Sequence, residues 1–220
     1  MFIGHFAVGL GAKRAAPRLS LGVLFAAALF ADVLWPVLVA LGLERVEILP
    51  GATVMTPLDF ISYPYSHSLA LLIVWGVVFG LAVRHKDRNA FVVVSALVVS
   101  HWVLDFITHR PDMPLFPGGP KVGLSLWNSV PGTVFVEVAM YLAGAWIYLK
   151  ATRPHDAAGR WGMLVLLSTL LLIYVGDAMS RVPPPSVNAI VVVGMAASVI
   201  FTVWATWADR HRDVVTSGRS

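Results

Sequence analysis

The sequence predicts an all-α fold: a polytopic transmembrane helical bundle of about six spans with a short N-terminal half-helix. Three observations carry this. Of 220 residues, 58% are hydrophobic and only 13% charged, whereas a soluble domain carries about a quarter charged residues. The apolar residues run on without the polar interruption every third or fourth position that a soluble amphipathic helix shows. The basic residues, finally, fall in clusters that alternate with the apolar runs.

Runs of about 20 residues, the length that crosses a bilayer, are Leu19–Leu43, Tyr65–Val83, Ala90–Thr108, Thr133–Leu149, Trp161–Ala178 and Val187–Ala208. The opening "MFIGHFAVGLGAKR" is too short to span and lacks the charged start of a signal peptide. It reads as an uncleaved helix that enters the bilayer part-way. Twelve of the 16 Lys and Arg lie in Lys13–Arg18, Arg84–Arg88, Lys150–Arg160 and the tail from Arg210; Arg45, Arg110, Lys121 and Arg181 occupy the alternate connections. Positive residues mark the cytoplasmic side, so both termini are expected there and "HRPDMPLFPGGPKVGLSLWNS" on the outside. The chain 1–220 reads as one transmembrane domain. Residues 1–128 bear the unusual polar groups, and 129–220 supply supporting helices, with Glu137 as a possible site residue.

Composition removes several functions. With no cysteine there is no disulfide, thiolate metal site or thiol nucleophile. The net charge of +4 reflects the inner-face clusters, and no basic face with interleaved aromatics marks a nucleic-acid partner. Neither an H-E-x-x-H helix, a G-x-S-x-G elbow, a P-loop nor a Rossmann fingerprint is present.

What remains is a set of ionisable residues inside the apolar runs. His101, Asp105 and His109, in "SHWVLDFITHRPD", are spaced i, i+4, i+8 and share one helix face. Ligands four apart on a helix can converge on one metal ion. Depth adds to this. At 1.5 Å per residue, Asp32, His101 and Glu137 lie about 20–21 Å from the nearest inner-face charge, and His67 and Asp105 about 26 Å. Five ionisable groups from four spans thus fall in one slab in the outer half of the membrane. His5 sits lower, about 12 Å above Lys13, yet a half-helix beside the first span would bring it near Asp32. An acid at mid-bilayer costs about 2.5–3.5 kcal/mol on insertion scales, so such groups face cavities and have partners. One divalent cation held by Asp32, His67, His101 and Asp105, with His5 as a further donor, would satisfy them. Oxygen and nitrogen donors suit zinc first, with manganese or iron as alternatives. Glu137 is the candidate general base, and Asp105 the second catalytic candidate.

Plainer readings stand beside these. Intramembrane histidines and acids also hydrogen-bond helices together. Ser66 could serve only as a helix cap. His109 and Asp112 read as a solvated His-Arg-Pro-Asp turn, and Asp177 as the partner of Arg181 in an i, i+4 pair. Trp127, Tyr148 and Trp161 read as interfacial anchors, and His85, His155 and His211 as idle loop residues.

The order "GH", an Asp motif ending in Pro, "HSL" at a helix start and "SHxxxD" resembles the YdjM-like inner-membrane proteins, described as LexA-regulated, membrane-bound, metal-dependent hydrolases. Their pattern is H…P-D-x-D-H…H-R-G-x-T-H-S…S-H-x-x-x-D. On it His5 takes the first His, Asp32 the first Asp, His67 the His before Ser, and His101 and Asp105 the last pair. "ADVLWP" puts Leu34 and Trp35 where the family has Asp and His, and "YPYSHS" lacks an earlier His, with Tyr63 or Pro64 near that place. Three donors are therefore missing, enough to leave one metal where the pattern offers two. The resemblance covers residues 1–120 and implies a bacterial inner-membrane protein that hydrolyses an ester or phosphoester. Membrane lipids are the expected partners, and a lipid-like or small ester the expected substrate. An ion- or proton-coupled transporter using the same cluster, or a structural polar core, are the alternatives.

Overall fold

The computed structural model describes residues 1–180 and 182–215; the expected Asp177–Arg181 pair lies outside the described residues. It is a helical bundle with little strand. The helices are α1 (Ile3–Ala12), α2 (Leu21–Ala28), α3 (Phe30–Ala40), α4 (Pro64–His67), α5 (Leu69–Val83), α6 (Ala90–Thr108), α7 (Val130–Ala151), α8 (Ala157–Met179) and α9 (Val187–Arg210). Three antiparallel two-stranded pairs join segments at the ends: β1 (Arg45–Ile48) with β2 (Leu58–Ser62), β3 (Met113–Pro114) with β4 (Lys121–Val122), and β5 (Thr152–Pro154) with β6 (Arg212–Val214).

Helix starts follow local chemistry. The hydroxyls of Ser20, Ser129 and Ser186 and the carboxylate of Asp156 accept from backbone N–H groups three residues on, satisfying donors that a helix start leaves open. Four helices, α6 to α9, are long and apolar enough to cross a membrane. The pair α2 and α3, bent by 58°, makes a fifth if taken as one span. Two expected spans are therefore irregular. Leu19–Leu43 breaks at Leu29, whose φ of −99° and ψ of 11° fall in the sparsely allowed bridge region. Tyr65–Val83 opens with the single turn α4, passes through an extended Ser68, and continues as α5, whose 15 residues reach about 22 Å. The short strands were not foreseen by the all-α expectation.

The half-helix α1 lies against α7, α2 and α6. Its approach to α7 is close because Gly144 has no side chain: a Cβ there would come within 2.3 Å of the Ala7 carbonyl oxygen. One apolar cluster joins α2, α3, α5 and α6, and a second joins α1, α2, α7, α8 and α9.

The basic clusters meet at one end of the bundle. Lys13 Nζ donates to Asp209 Oδ2 at 2.6 Å, Arg18 N to Asp87 at 2.9 Å, and β5 pairs with β6. Tyr148, expected as an interfacial anchor, is instead fully buried, with its hydroxyl 2.7 Å from Asp209 Oδ1. Trp161 is exposed as expected, under the Arg160 guanidinium. His155 and His211 are not idle in the sense expected, since both approach the exposed Asp156. The Gly159 N–H and His211 hold the Asp156 carboxyl below its usual range.

Apolar side chains cover the outside of the long helices; Phe135 is 75% and Leu172 71% exposed. Apolar surface on this scale needs a nonaqueous environment. The molecule is an integral membrane protein.

Candidate metal centre

The break at Leu29 positions the first ligands. It separates Ala28 from the helix that follows, and the Ala28 carbonyl accepts from His101 Nδ1 at 2.9 Å. A carbonyl only accepts, so Nδ1 carries a proton, and in the neutral ring Nε2 carries the lone pair. That lone pair is buried and makes no hydrogen bond, although Asp105 Oδ2 stands 3.1 Å away and Asp32 Oδ1 3.7 Å away.

His67 is oriented in the same way from another direction. Ser66 Oγ lies 2.6 Å from Glu44 Oε2 and 2.6 Å from His67 Nδ1. The carboxylate takes the hydroxyl proton, so the hydroxyl oxygen accepts from Nδ1. The lone pair of His67 Nε2 then faces Asp32 Oδ1 at 3.7 Å and Asp105 Oδ2 at 3.8 Å. Glu44 also accepts from the backbone N–H groups of Tyr65 and Ser66, fixing α4. Ser66 is thus a support for His67, correcting its reading as a cap.

Four electron-pair donors therefore converge from α3, α4 and α6: Asp32 Oδ1, His67 Nε2, His101 Nε2 and Asp105 Oδ2. With neutral imidazoles, acceptor facing acceptor at 3.1–3.8 Å is repulsive, and either a proton on Nε2 or a metal ion between the groups relieves it. Histidine ligands held by hydrogen bonds through their other nitrogen are a regular feature of metal sites. The residues fit a divalent cation. Two carboxylates and two neutral imidazoles carry two negative charges, which one such ion cancels.

His5 joins from α1. Its ring stacks on His101 at 3.8 Å between centroids, and its Nε2 lies 3.0 Å from Asp105 Oδ1. The Met1 amino group reaches the same oxygen at 2.5 Å. Two overlapping groups have metal-ligand spacing, Asp32–His67–His101 and His5–His101–Asp105, and they share His101. His5 thus contacts Asp105 and His101 directly, and through His101 it comes near Asp32, as expected. Glu137 is buried beside the cluster, where its Oε2 accepts from the backbone N–H groups of Phe2 and Gly4. It holds the start of α1 against α7.

His109 and Asp112 are not a solvated turn. Both are buried; His109 Nδ1 is 3.0 Å from Asp112 Oδ1, and its Nε2 faces Asp105 Oδ2 at 4.0 Å. Phe60 and Trp127 pack on the His109 ring, so Trp127 is a wall of the site and not an interfacial anchor. Burial pushes the His109 imidazole below its usual range. The Tyr63 hydroxyl donates to Asp112 at 2.9 Å, and burial together with that carboxylate pushes the phenol well above its usual range.

These groups line a cavity of about 150 Å³ that includes Asp32, His67, Asp105, His109 and Glu137. The 42% exposure of the Asp32 side chain opens the candidate ligand cluster to it. Tyr174 and Asp177 of α8 also line it, so the C-terminal helices are more than support. A third group with ligand spacing, His155, Asp156 and His211, lies exposed at the basic end, far along the chain from the cluster.

Fold and site together define an integral membrane helical bundle with a buried His/Asp centre able to hold a metal ion. Comparison with protein-family models, with curated proteins and with solved structures returned no match.

Proposed function

We propose that this protein is a membrane-embedded, metal-dependent hydrolase of an ester or phosphoester, with one divalent ion held by Asp32, His67, His101 and Asp105. The observation that carries this is the pair of histidines with protonated Nδ1 and free Nε2 facing two carboxylates. A divalent ion in that position supplies Lewis-acid polarisation of an ester or phosphoryl oxygen and makes water acidic enough to act near neutral pH. The chain's own groups do the rest. Ala28, Ser66 and Glu44 hold the imidazoles in place, and His5 steadies Asp105.

His109, with Nδ1 held by Asp112 and Nε2 toward the cavity, is the group suited to carry a proton between substrate and the outer loops. It takes the general-base role ahead of Glu137, whose Oε2 is already engaged. Trp127 and Phe60 shield it from bulk water.

The resemblance to the YdjM-like hydrolases supports the same reading. The alternation of basic clusters favours six spans, counting the bent pair and α5, with the basic end in the cytoplasm of a bacterial inner membrane and the cavity toward the outer leaflet.

A second reading has one observation in its favour. The α2–α3 span, broken at Leu29 just before Asp32, resembles the discontinuous helices that form ion sites in transporters. Zinc-loaded protein is expected to cleave members of a panel of long-chain esters and phosphodiesters, and Asp32→Asn to lose at least a hundredfold in rate. Zinc- or proton-dependent flux into proteoliposomes, with no turnover across the panel, would replace the hydrolase by the transporter.

A further inference from the structure

A second cavity, about 190 Å³, lies between α3 and α9 and is almost wholly apolar; its walls include Phe6, Leu29, Pro36, Ile190, Ala197 and Phe201. On α9 the lining residues Ile190, Gly194, Ala197, Ser198 and Phe201 recur at helical spacing and form one stripe. Ser198, the polar member, spends its hydroxyl on the Gly194 carbonyl at 2.8 Å. The flanking side chains Val192, Val193 and Val199 are exposed on the lipid-facing surface. The groove thus adjoins the surface that meets the bilayer.

Its inner end adjoins the polar cavity, because Phe2, Asp32 and Trp35 line both. Two hydrogen-bonding groups at that polar cavity are unused. Trp35 is 8% and Tyr174 1% exposed, yet the Trp35 Nε1 and the Tyr174 hydroxyl have no partner. Buried donors without partners cost about 1–3 kcal/mol each unless a ligand takes them. An apolar trough running from the lipid surface to a polar cavity, with Asp32 and Trp35 at the junction, matches one kind of molecule, an amphiphile with a long hydrocarbon chain and a polar head.

We propose that the α3–α9 groove holds the hydrocarbon tail of a lipid ester or phosphoester, while the head sits in the polar cavity that Asp32, Trp35 and Tyr174 line, beside the His/Asp centre. This rests on the hydrolase reading for the fate of the lipid but not for its binding. A Cβ at Gly194 would meet Pro36 Cγ at an ordinary contact distance of 3.4 Å, so a side chain much larger than alanine there would fill the groove.

The test uses intact protein in vesicles of phosphatidylethanolamine and phosphatidylglycerol carrying a trace of phosphatidylglycerol with a diazirine in one acyl chain. Illumination is done in chelator so that no turnover is required, and labelled peptides are mapped by mass spectrometry. Labelling is expected to concentrate on Pro36 and the 190–201 stripe, and to fall at least fivefold in Gly194→Phe. Val199→Phe, on the opposite and exposed face of the same helix, should leave it unchanged. Metal content and unfolding temperature report whether Gly194→Phe is folded; if it is not, Ala197→Phe fills the same groove. Labelling spread evenly over the lipid-facing helices, or unaffected by filling the groove in a folded variant, overturns the proposal. Hydrolysis of a water-soluble ester alongside evenly spread labelling would sink the groove and spare the hydrolase; focused labelling without any hydrolysis would do the reverse.

Discussion

At the scale of single residues, what distinguishes the centre is where the imidazole protons are. His101 and His67 each donate from Nδ1, to the Ala28 carbonyl and to Ser66, and so present bare Nε2 atoms to Asp32 and Asp105. Support of this kind is worth about 10–100-fold in metal affinity. Ser66→Ala and Glu44→Gln are therefore each expected to weaken zinc binding by about that factor, measured by competition with a chelator of known affinity; wild-type affinity in both would remove the relay from the site. The ligands themselves were legible in the sequence. His101 and Asp105 share a helix face, and a charged group in an apolar run is conspicuous because lipid tolerates so few. Their supports were not. Glu44 is 22 residues from Ser66 and reaches it only through the β1–β2 hairpin region. His109 and Asp112 lie in a His-Arg-Pro-Asp segment with the composition of an exposed turn, and what packs on His109 is Phe60 of β2 and Trp127 of the turn before α7.

At the scale of elements, two irregular helices do most of the positioning. The break at Leu29 gives His101 its carbonyl and starts α3 so that Asp32 sits in its first turn. A long apolar run announces a span but not a bend within it: Leu29 has no glycine or proline beside it, and Pro36 lies further on inside α3. The half-helix α1 was legible from its length and from the Lys13–Arg18 cluster behind it, and its docking depends on Gly144. A leucine there would put its Cβ within 2.3 Å of the Ala7 carbonyl oxygen and 2.8 Å of Ala7 Cα, both backbone atoms that cannot move aside cheaply. Gly144→Leu should push α1 away from α7, destabilise the fold by about 1–3 kcal/mol as overpacking does, and separate His5 from Asp105. A lowered unfolding temperature in detergent together with a weakened metal site is expected. Unchanged behaviour in both would mean that α1 docks by other contacts.

For the whole molecule, the centre is a product of long-range assembly. His5, Asp32, His67 and the His101–Asp105 pair come from four separate stretches of chain, and the helices that close the cavity, α7 and α8, come from the half that looked like plain scaffold. The basic clusters gather at one end through Lys13–Asp209, Arg18–Asp87 and the β5–β6 pairing, which leaves the polar cavity and the hairpins toward the other. That division was legible from charge placement, because each cluster of Lys and Arg closes an apolar run. The cavity and the α3–α9 groove were not, since both exist only where elements remote in sequence face each other. A centre assembled in this way should bind one metal per folded chain and lose it when any main ligand is removed. The direct test is metal content by mass spectrometry on detergent-purified protein beside His101→Ala and Asp105→Ala. About one zinc, manganese or iron per chain, absent from both folded variants, is the expected result. Folded wild-type protein that holds no metal even after it is added back would contradict the metal centre and leave the His/Asp cluster as a proton path or a structural polar core.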